Sequence, residues 1–290
     1  MIKTKNETAN EQWDIVINAD KNKGISINWQ ELWQYRDMIW VLIRKEIVAA
    51  HLQTVLGPLW YVGKAVIMAL TFALVFGMIA RVNPTGVPHM LFFMSGLMFW
   101  EYFLNCMNKT GNVLRENKAI FEKVYVPRLA FPIAKLVAGL VPAFFELMTL
   151  VVAYLIYVFW VGSPVRPSWG VVYIPFLFLI IGGIGSSLGL IISALTIKYR
   201  DIAMLISYST RLLMYTTPII YPMQIVPKEF LPYLSLNPLA AIIDYGKHFL
   251  FNIPVYCTTT PLYSVGCLLV IFLIGIFLFN RVERDFVDTV

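Results

Sequence analysis

Residues 115–128, RENKAIFEKVYVPR, carry six charged side chains between two long apolar stretches of the sequence. A proline precedes the last residue of this segment, which we call the charged block. Charged side chains in a short helix-like segment are suited to form ion pairs with a partner outside the membrane. The charged block therefore predicts a docking surface. Its charged residues are Arg115, Glu116, Lys118, Glu122, Lys123 and Arg128.

Tyr208, Arg211 and Tyr215 follow an i, i+3, i+7 spacing, which places them on one face of a helix. Tyrosine rings can stack on sugar faces while their hydroxyls bond sugar oxygens, and an arginine can hold a phosphate. This face therefore predicts the lining of a polar transport path. The alternative is that the rings only pack between helices. Weaker candidates for the same path are Trp60, Tyr61 and Phe72.

The sequence offers no site for covalent chemistry, so no catalytic residue and no metal ligand is expected. No stretch reads GxxxxGK[ST], the phosphate-binding loop of ATPases. The glycines and serines between Gly182 and Ser193 lie inside an apolar stretch, where small residues let helices approach closely. The three cysteines lack the spacing of a metal site. If ATP drives this protein, another chain must bind it.

Composition identifies the chain as an all-α membrane protein. Apolar residues make up 59% and charged residues 14% of it, against about 45–50% and about 25% in soluble domains. A hydrocarbon core of roughly 30 Å needs about 20 apolar residues per helix, and six stretches qualify. These predicted spans are residues 58–80, 89–107, 135–160, 171–197, 202–221 and 261–280.

Three further regions complete the predicted organisation. Residues 1–28 form a polar lead, and residues 29–57 predict an amphipathic helix that lies in the membrane interface. That helix is either an ordinary anchor before the first span or a helix that also contacts a cytoplasmic partner. Residues 230–251 are apolar but contain Pro232 and Pro238, so we expect a re-entrant or interfacial hairpin before the last span, with re-entrant preferred. Residues 58–290 would form one transmembrane domain.

Positive charges predict the orientation of the spans, because loops rich in Lys and Arg stay in the cytoplasm. With six spans, 17 of the 23 Lys and Arg residues fall on the side of the two termini, and 4 fall on the opposite side. Both termini and the charged block are therefore expected in the cytoplasm. Within the predicted spans, Lys64 is expected to reach the headgroups, whereas Glu101 and Glu146 are expected to pair with cations.

Several motifs occur in the order seen in one transporter family. QTVLGPLW at 53–60 follows Arg44, Lys45 and Glu46, and a proline at 132 follows KVYVPR at 123–128. The later motifs are YRD at 199–201, TPIIYP at 217–222, NPL at 237–239 and VERDFVD at 282–288. Together they resemble the permease subunits of polysaccharide-exporting ABC transporters of the ABC-2 type, which include O-antigen, capsule and teichoic-acid exporters.

The resemblance implies a homodimer of this chain bound to two copies of a separate ABC ATPase, which would hold ATP and Mg. It implies that the charged block is the coupling helix, assisted by Arg44 and Lys45. The implied cargo is a polysaccharide on undecaprenyl diphosphate, with O-antigen preferred, moved across the inner (plasma) membrane. No nucleic acid and no cofactor on this chain is expected. From Asp244 to Lys247 the sequence departs from the basic pair of many relatives.

Two other functions remain open from the sequence. An ABC-2 exporter of a small hydrophobic drug or lipid shares the six-span plan. A membrane-embedded glycosyl- or acyltransferase would need paired acids or a His-Asp site at one leaflet, and the predicted loops contain no such cluster. A secondary carrier is disfavoured because the spans show no inverted repeat.

Overall fold

The computed structural model describes residues 29–51, 56–82, 86–117, 127, 129–162, 165–199 and 201–287. Every regular element in these ranges is a helix, so the all-helical prediction is confirmed for them. The α-helices are α1 (Trp29–Gln34), α2 (Arg36–His51), α3 (Leu59–Phe72), α4 (His89–Gly111), α5 (Val113–Glu116), α6 (Ala130–Ile156), α7 (Ile174–Lys198), α8 (Asp201–Tyr215), α9 (Leu231–Ser235), α10 (Pro238–Phe251) and α11 (Pro261–Val287).

Five helical segments in the described ranges are long and apolar enough to cross a membrane. Their ends differ from those of five predicted spans by at most five residues. Turns of π-helix extend α3 to Ile79 and α6 to Val161, and a 3-10 turn from Trp169 leads into α7. The segments are Leu59–Ile79, His89–Gly111, Ala130–Val161, Trp169–Thr196 and Pro261–Arg281.

The predicted fifth span, residues 202–221, is not confirmed as a crossing helix. Its helix, α8, has 15 residues and ends at Tyr215, which gives about 22 Å at about 1.5 Å per residue. Beyond it, the hydroxyls of Thr216 and Thr217 bond back to the carbonyls of Leu213 and Met214, at 2.8 and 2.7 Å. The proline at 218 lacks an N–H, so the helix cannot continue through it.

Residues 230–251 fold into α9 and α10, and a re-entrant path for them is not confirmed. The break predicted from Pro232 and Pro238 is present, since α9 ends at Ser235 and α10 begins at Pro238. Both prolines lie in the first turn of a helix. A missing N–H costs nothing there, since the first helical N–H groups have no partner in the helix. Asn237 caps α10, because its side chain accepts the Leu239 N–H at 3.0 Å.

The region predicted as an interfacial helix is helical from Trp29 to His51, with a break at Tyr35 between α1 and α2. Its position in a membrane interface is not confirmed. What the structure shows is that α2 lies against the first turns of α6. Of the rest of the predicted region, residues 52–55 fall outside the described residues.

The centre of the bundle is the contact between α4 and α7. A Cβ added to Gly185 or Gly189 would lie 2.7 Å from the carbonyl oxygen of Phe103 or Met107. Only glycine lets the two backbones come this close, as expected for small residues in a membrane helix. The close helix approach predicted for the fourth span is therefore confirmed at these positions.

The bundle has two ends with different polar features. We call the end with Lys109, Glu116 and Lys135 the Lys135 end. The opposite end, where α10 packs beside the start of α4, is the Lys247 end.

Candidate functional site

Four helices meet through charged side chains at the Lys135 end. Lys135 lies in the second turn of α6, and its side chain is only 4% exposed. Its amino group lies 2.8 Å from Oε2 of Glu116 in α5 and 3.2 Å from Oε1 of Glu46 in α2. The amino group of Lys109, near the end of α4, lies 3.9 Å from Oε2 of Glu46. We call these four residues the ion-pair network.

An apolar cluster lies next to the ion-pair network and fixes α2 to α6. Glu46 follows Ile43 by three residues and Leu42 by four, so the three side chains share one face of α2. That face packs on α5 and α6, which brings the Glu46 carboxylate to Lys135. The buried residues of the cluster are Leu42, Ile43, Val113, Ala130, Phe131 and Ala134.

The charges of the network balance, since two lysines face two glutamates. A buried ammonium is costly unless it is paired, and Lys135 has two carboxylate partners. Breaking such a pair leaves an uncompensated charge, so the pair resists separation. Lys135 therefore ties α5, which begins the charged block, to both α2 and α6.

The structure divides the residues predicted to couple to an ATPase. Glu116 belongs to the network, and Arg115 is exposed, with its guanidinium donating to Oδ1 of Asn112 at 2.9 Å. Arg44 and Lys45 are exposed on α2, away from its packed face. Arg44, Lys45 and Arg115 thus leave cationic groups on the surface next to the network. The other predicted coupling residues, Lys118, Glu122, Lys123 and Arg128, lie outside the described residues.

Sequence reasoning missed Glu46, Lys109 and Lys135 as parts of a site. Lys109 and Lys135 were only counted as loop charges, and Glu46 only as part of a motif. A signal was present for Glu46, because a carboxylate at helical spacing from buried Leu42 and Ile43 points to a cation on the neighbouring helix. The partner itself was not readable, since it lies in a separate helix 89 positions later.

The predicted path residues on α8 share an outward face. The side chains of Tyr208 and Tyr215 are 63% and 61% exposed. The guanidinium carbon of Arg211 lies 5.8 Å from the centre of the Tyr208 ring, within the range of a cation–π contact. The arginine and both rings are therefore available to a ligand or to another protein surface.

The predicted path residues on α3 do not share one environment. Trp60 is exposed, whereas Tyr61 stacks on Phe145 of α6 with ring centres 6.0 Å apart. Phe72 packs edge-on against Phe93, with ring centres 6.0 Å apart. Trp60 thus resembles the α8 residues in exposure, while Tyr61 and Phe72 also make contacts inside the bundle.

A second polar feature joins α10 to its neighbours at the Lys247 end. The buried Lys247 amino group donates to the carbonyl of Pro218 at 2.5 Å and lies 3.3 Å from the centre of the Phe92 ring. Asp244, one turn earlier, accepts the backbone N–H groups of Tyr256 and Cys257, both at 2.9 Å. Burial raises the pKa of the Asp244 carboxyl, and the two N–H donors oppose that rise.

Comparison with known proteins finds similar export permeases. The chain resembles an O-antigen export system permease protein, RfbA, of Klebsiella pneumoniae, with 26% identity over 87% of this chain and 94% of that protein. It also resembles an O-antigen export system permease protein, RfbA, of Myxococcus xanthus, with 27% identity over 74% of this chain and 80% of that protein.

The family comparison covers most of the chain. The model of the ABC-2 type transporter family matches residues 38–246, which include the ion-pair network, the exposed face of α8 and Asp244. The description of this family is that of transporters, and the long apolar helices fit a protein that crosses the membrane several times. The chain belongs to the ABC-2 type transporter family.

Proposed function

We propose that this chain is the membrane permease of an ATP-driven exporter of polysaccharide linked to undecaprenyl diphosphate, with O-antigen as the expected polysaccharide. Membership of the ABC-2 type family supports the transport role. The names of the similar proteins, at 25–27% identity, support O-antigen as cargo. In this proposal the chain lies in the inner membrane with six crossings and cytoplasmic termini.

The ion-pair network is the observation that carries the proposal. An exporter of this kind needs a rigid connection between the surface that meets the ATPase and the helices that move. Lys135 connects α5, the start of the charged block, to α2 and α6 through two carboxylates. In the proposal a separate ABC ATPase, holding ATP and Mg, binds the charged block together with Arg44 and Lys45.

Two copies of the chain would form the transport path. The first candidate span, Leu59–Ile79, has little surface buried inside the bundle, and α8 has exposed tyrosines. If a second copy faces these two helices, Trp60, Tyr208, Arg211 and Tyr215 come to line the space between the copies. Tyrosine rings and a guanidinium suit a sugar chain and its diphosphate. α9 and α10 would close the outer end of this path.

Reversing two charges of the charged block tests the docking step. We expect Glu122→Lys combined with Lys123→Glu to lower ATP-driven export at least tenfold, with normal amounts of protein in the membrane. Lys228→Glu combined with Glu229→Lys is the matched control, because this exposed neighbouring pair lies outside the charged block. Full export by the 122/123 variant would remove the docking proposal.

The choice of cargo separates this proposal from the drug or lipid exporter. In reconstituted complexes of the chain with its ATPase, undecaprenyl-diphosphate-linked polysaccharide should stimulate ATP hydrolysis more than free undecaprenyl phosphate or hydrophobic drugs do. Equal stimulation by small hydrophobic compounds would favour the alternative. The comparison needs no knowledge of the sugar sequence.

A further inference from the structure

Three ionisable side chains from three helices meet inside the bundle, away from both ends. The amino group of Lys64 in α3 lies 2.5 Å from Oε2 of Glu101 in α4. Glu146 of α6 lines the same small cavity and is only 7% exposed. Within the described residues, no hydrogen bond or ion pair joins the Glu146 carboxyl to another side chain. We call these three residues the intramembrane triad.

The triad lies deep in the apolar part of the bundle. Glu101 and Glu146 stand about 12 and 16 Å along their helices from Lys109 and Lys135, at a rise of about 1.5 Å per residue. The remaining side chains around the cavity are apolar. They are Ala65, Met68, Met94, Leu97 and Met98. A charge placed here is therefore stabilised only by the other members of the triad and by nearby polar groups.

The charges of the triad do not balance when both carboxyls are ionised. The positive charge of Lys64 compensates one carboxylate, and that carboxylate is Glu101, with which Lys64 forms an ion pair. A second ionised carboxylate would be buried beside the first with no cation of its own, and like charges in one site disfavour joint ionisation. Tyr61, which also faces this region from α3 and lies near Glu146, is neutral and cannot supply the missing charge. A bound proton restores the balance.

We propose that the cavity is a proton-binding site, in which Glu146 holds a proton while Lys64 pairs with Glu101. The site binds a second proton, on Glu101, when Lys64 leaves. No other charged side chain among the described residues lines the cavity from α3, α4 or α6. The ligand is therefore a proton taken from water, and no bond other than O–H forms or breaks.

The position of Lys64 on α3 links proton binding at the triad to movement of α3. α3 is the helix with the least surface buried inside the bundle among the candidate spans, and the Lys64 side chain is 44% exposed. When α3 moves away from α4 and α6, the triad loses its only cation. Proton uptake then accompanies that movement, so the separated arrangement of α3 is favoured at lower pH. This inference does not depend on the nature of the cargo.

Infrared difference spectroscopy of the full chain in lipid nanodiscs tests the site. The carbonyl stretch of a protonated carboxyl differs from that of a carboxylate, so each variant reports how many protons the triad holds. Near neutral pH we expect Glu146→Gln to lose one protonated-carboxyl band relative to the unaltered protein. Lys64→Met should gain one such band, and Glu101→Gln should lose the band because Lys64 then pairs with Glu146. Asp244, also buried, contributes equally to every spectrum and cancels in the differences.

Two outcomes of this experiment would overturn the proton-binding site. If Glu146→Gln leaves the protonated-carboxyl bands unchanged, Glu146 is ionised and the site holds no proton. If Lys64→Met adds no band, the lysine does not control proton binding. The matched control is Lys228→Met, which removes an exposed lysine outside the bundle core and should leave the bands unchanged. Both readouts come from the permease alone, so a failure here is distinguishable from a failure of the export proposal.

Discussion

The amino group of Lys135 and Oε2 of Glu116 lie 2.8 Å apart, with the lysine 4% exposed and the glutamate side chain 50% exposed. This pair joins the buried base of α6 to the surface at which the charged block begins. One partner is held by the core and the other faces outward, so a force on the surface reaches the bundle through a short, charged contact. The same amino group also reaches Glu46, which brings α2 into the connection.

Removing the Lys135 cation should uncouple ATP hydrolysis by the partner ATPase from export through this chain. Lys135→Met leaves the Glu46 and Glu116 carboxylates close together without their shared cation, so the two like charges repel and the link between α5, α2 and α6 is lost. We expect ATP-driven export to fall about tenfold while the protein remains in the membrane. Lys109→Met, the control, removes a more distant and more exposed amino group and should reduce export less than threefold. Equal losses in the two variants would contradict the central place given to Lys135.

The exposed tyrosines of α8 should contribute to cargo recognition. Alanine at both Tyr208 and Tyr215 removes two rings that suit stacking, each worth about 0.5–1.5 kcal/mol. Cargo-stimulated ATP hydrolysis should then need at least threefold more cargo for half-maximal stimulation. Tyr173→Ala is the control, because Tyr173 is 61% exposed but lies outside α8, in the 3-10 turn before α7. If cargo stimulates ATP hydrolysis by the double variant as it does in the unaltered protein, the α8 rings serve only for packing.

The close approach of α4 and α7 should make the protein less stable when Gly189 is replaced by a larger residue. In Gly189→Ala the new Cβ would lie 2.7 Å from the Met107 carbonyl oxygen, so the two backbones must separate. Overpacking of this kind costs about 1–3 kcal/mol, and a lower melting temperature in detergent is expected. Gly266→Ala is the control, since no atom lies within 4 Å of a Cβ added there. A melting temperature for Gly189→Ala equal to that of this control would show that the helices are not tightly packed.

The Lys247 contact should hold α10 in place. Lys247→Met leaves the Pro218 carbonyl without its buried donor, and an unsatisfied buried group costs about 1–3 kcal/mol. We expect a lower melting temperature and faster hydrogen exchange in α10. Lys228→Met, the control at an exposed position, should change stability by no more than about 0.5 kcal/mol. Identical exchange in the two variants would mean that the buried lysine does not fix the helix.

Sequence patterns located the long apolar helices well, because each is set by a local composition that the bilayer core demands. The end of α8 was misplaced for a physical reason that composition does not express. Thr216 and Thr217 bond back to the preceding turn, and the proline at 218 cannot continue it. Apolar residues continue beyond this point, so hydropathy alone extends the span.

The contacts between distant helices were beyond reach from the sequence. Lys64 was expected to extend to the headgroups, but it forms an ion pair with Glu101 instead. Glu101 was expected to pair with a cation of a neighbouring helix, and this pair confirms that prediction. Lys135 was read as one positive charge among many, although it sits between two carboxylates. In both cases the deciding quantity is which helix faces which, and a single sequence does not contain it.

Transport by purified protein is the most direct test of the proposed function. The chain and its ATPase would be placed in liposomes containing a fluorescent undecaprenyl-diphosphate-linked polysaccharide, and exposure of the sugar on the opposite face would be followed with an impermeant quencher. We predict exposure that requires ATP and is lost in Lys135→Met. Exposure at the same rate without ATP, or ATP-dependent movement of the lipid only when the polysaccharide is absent, would contradict a polysaccharide exporter.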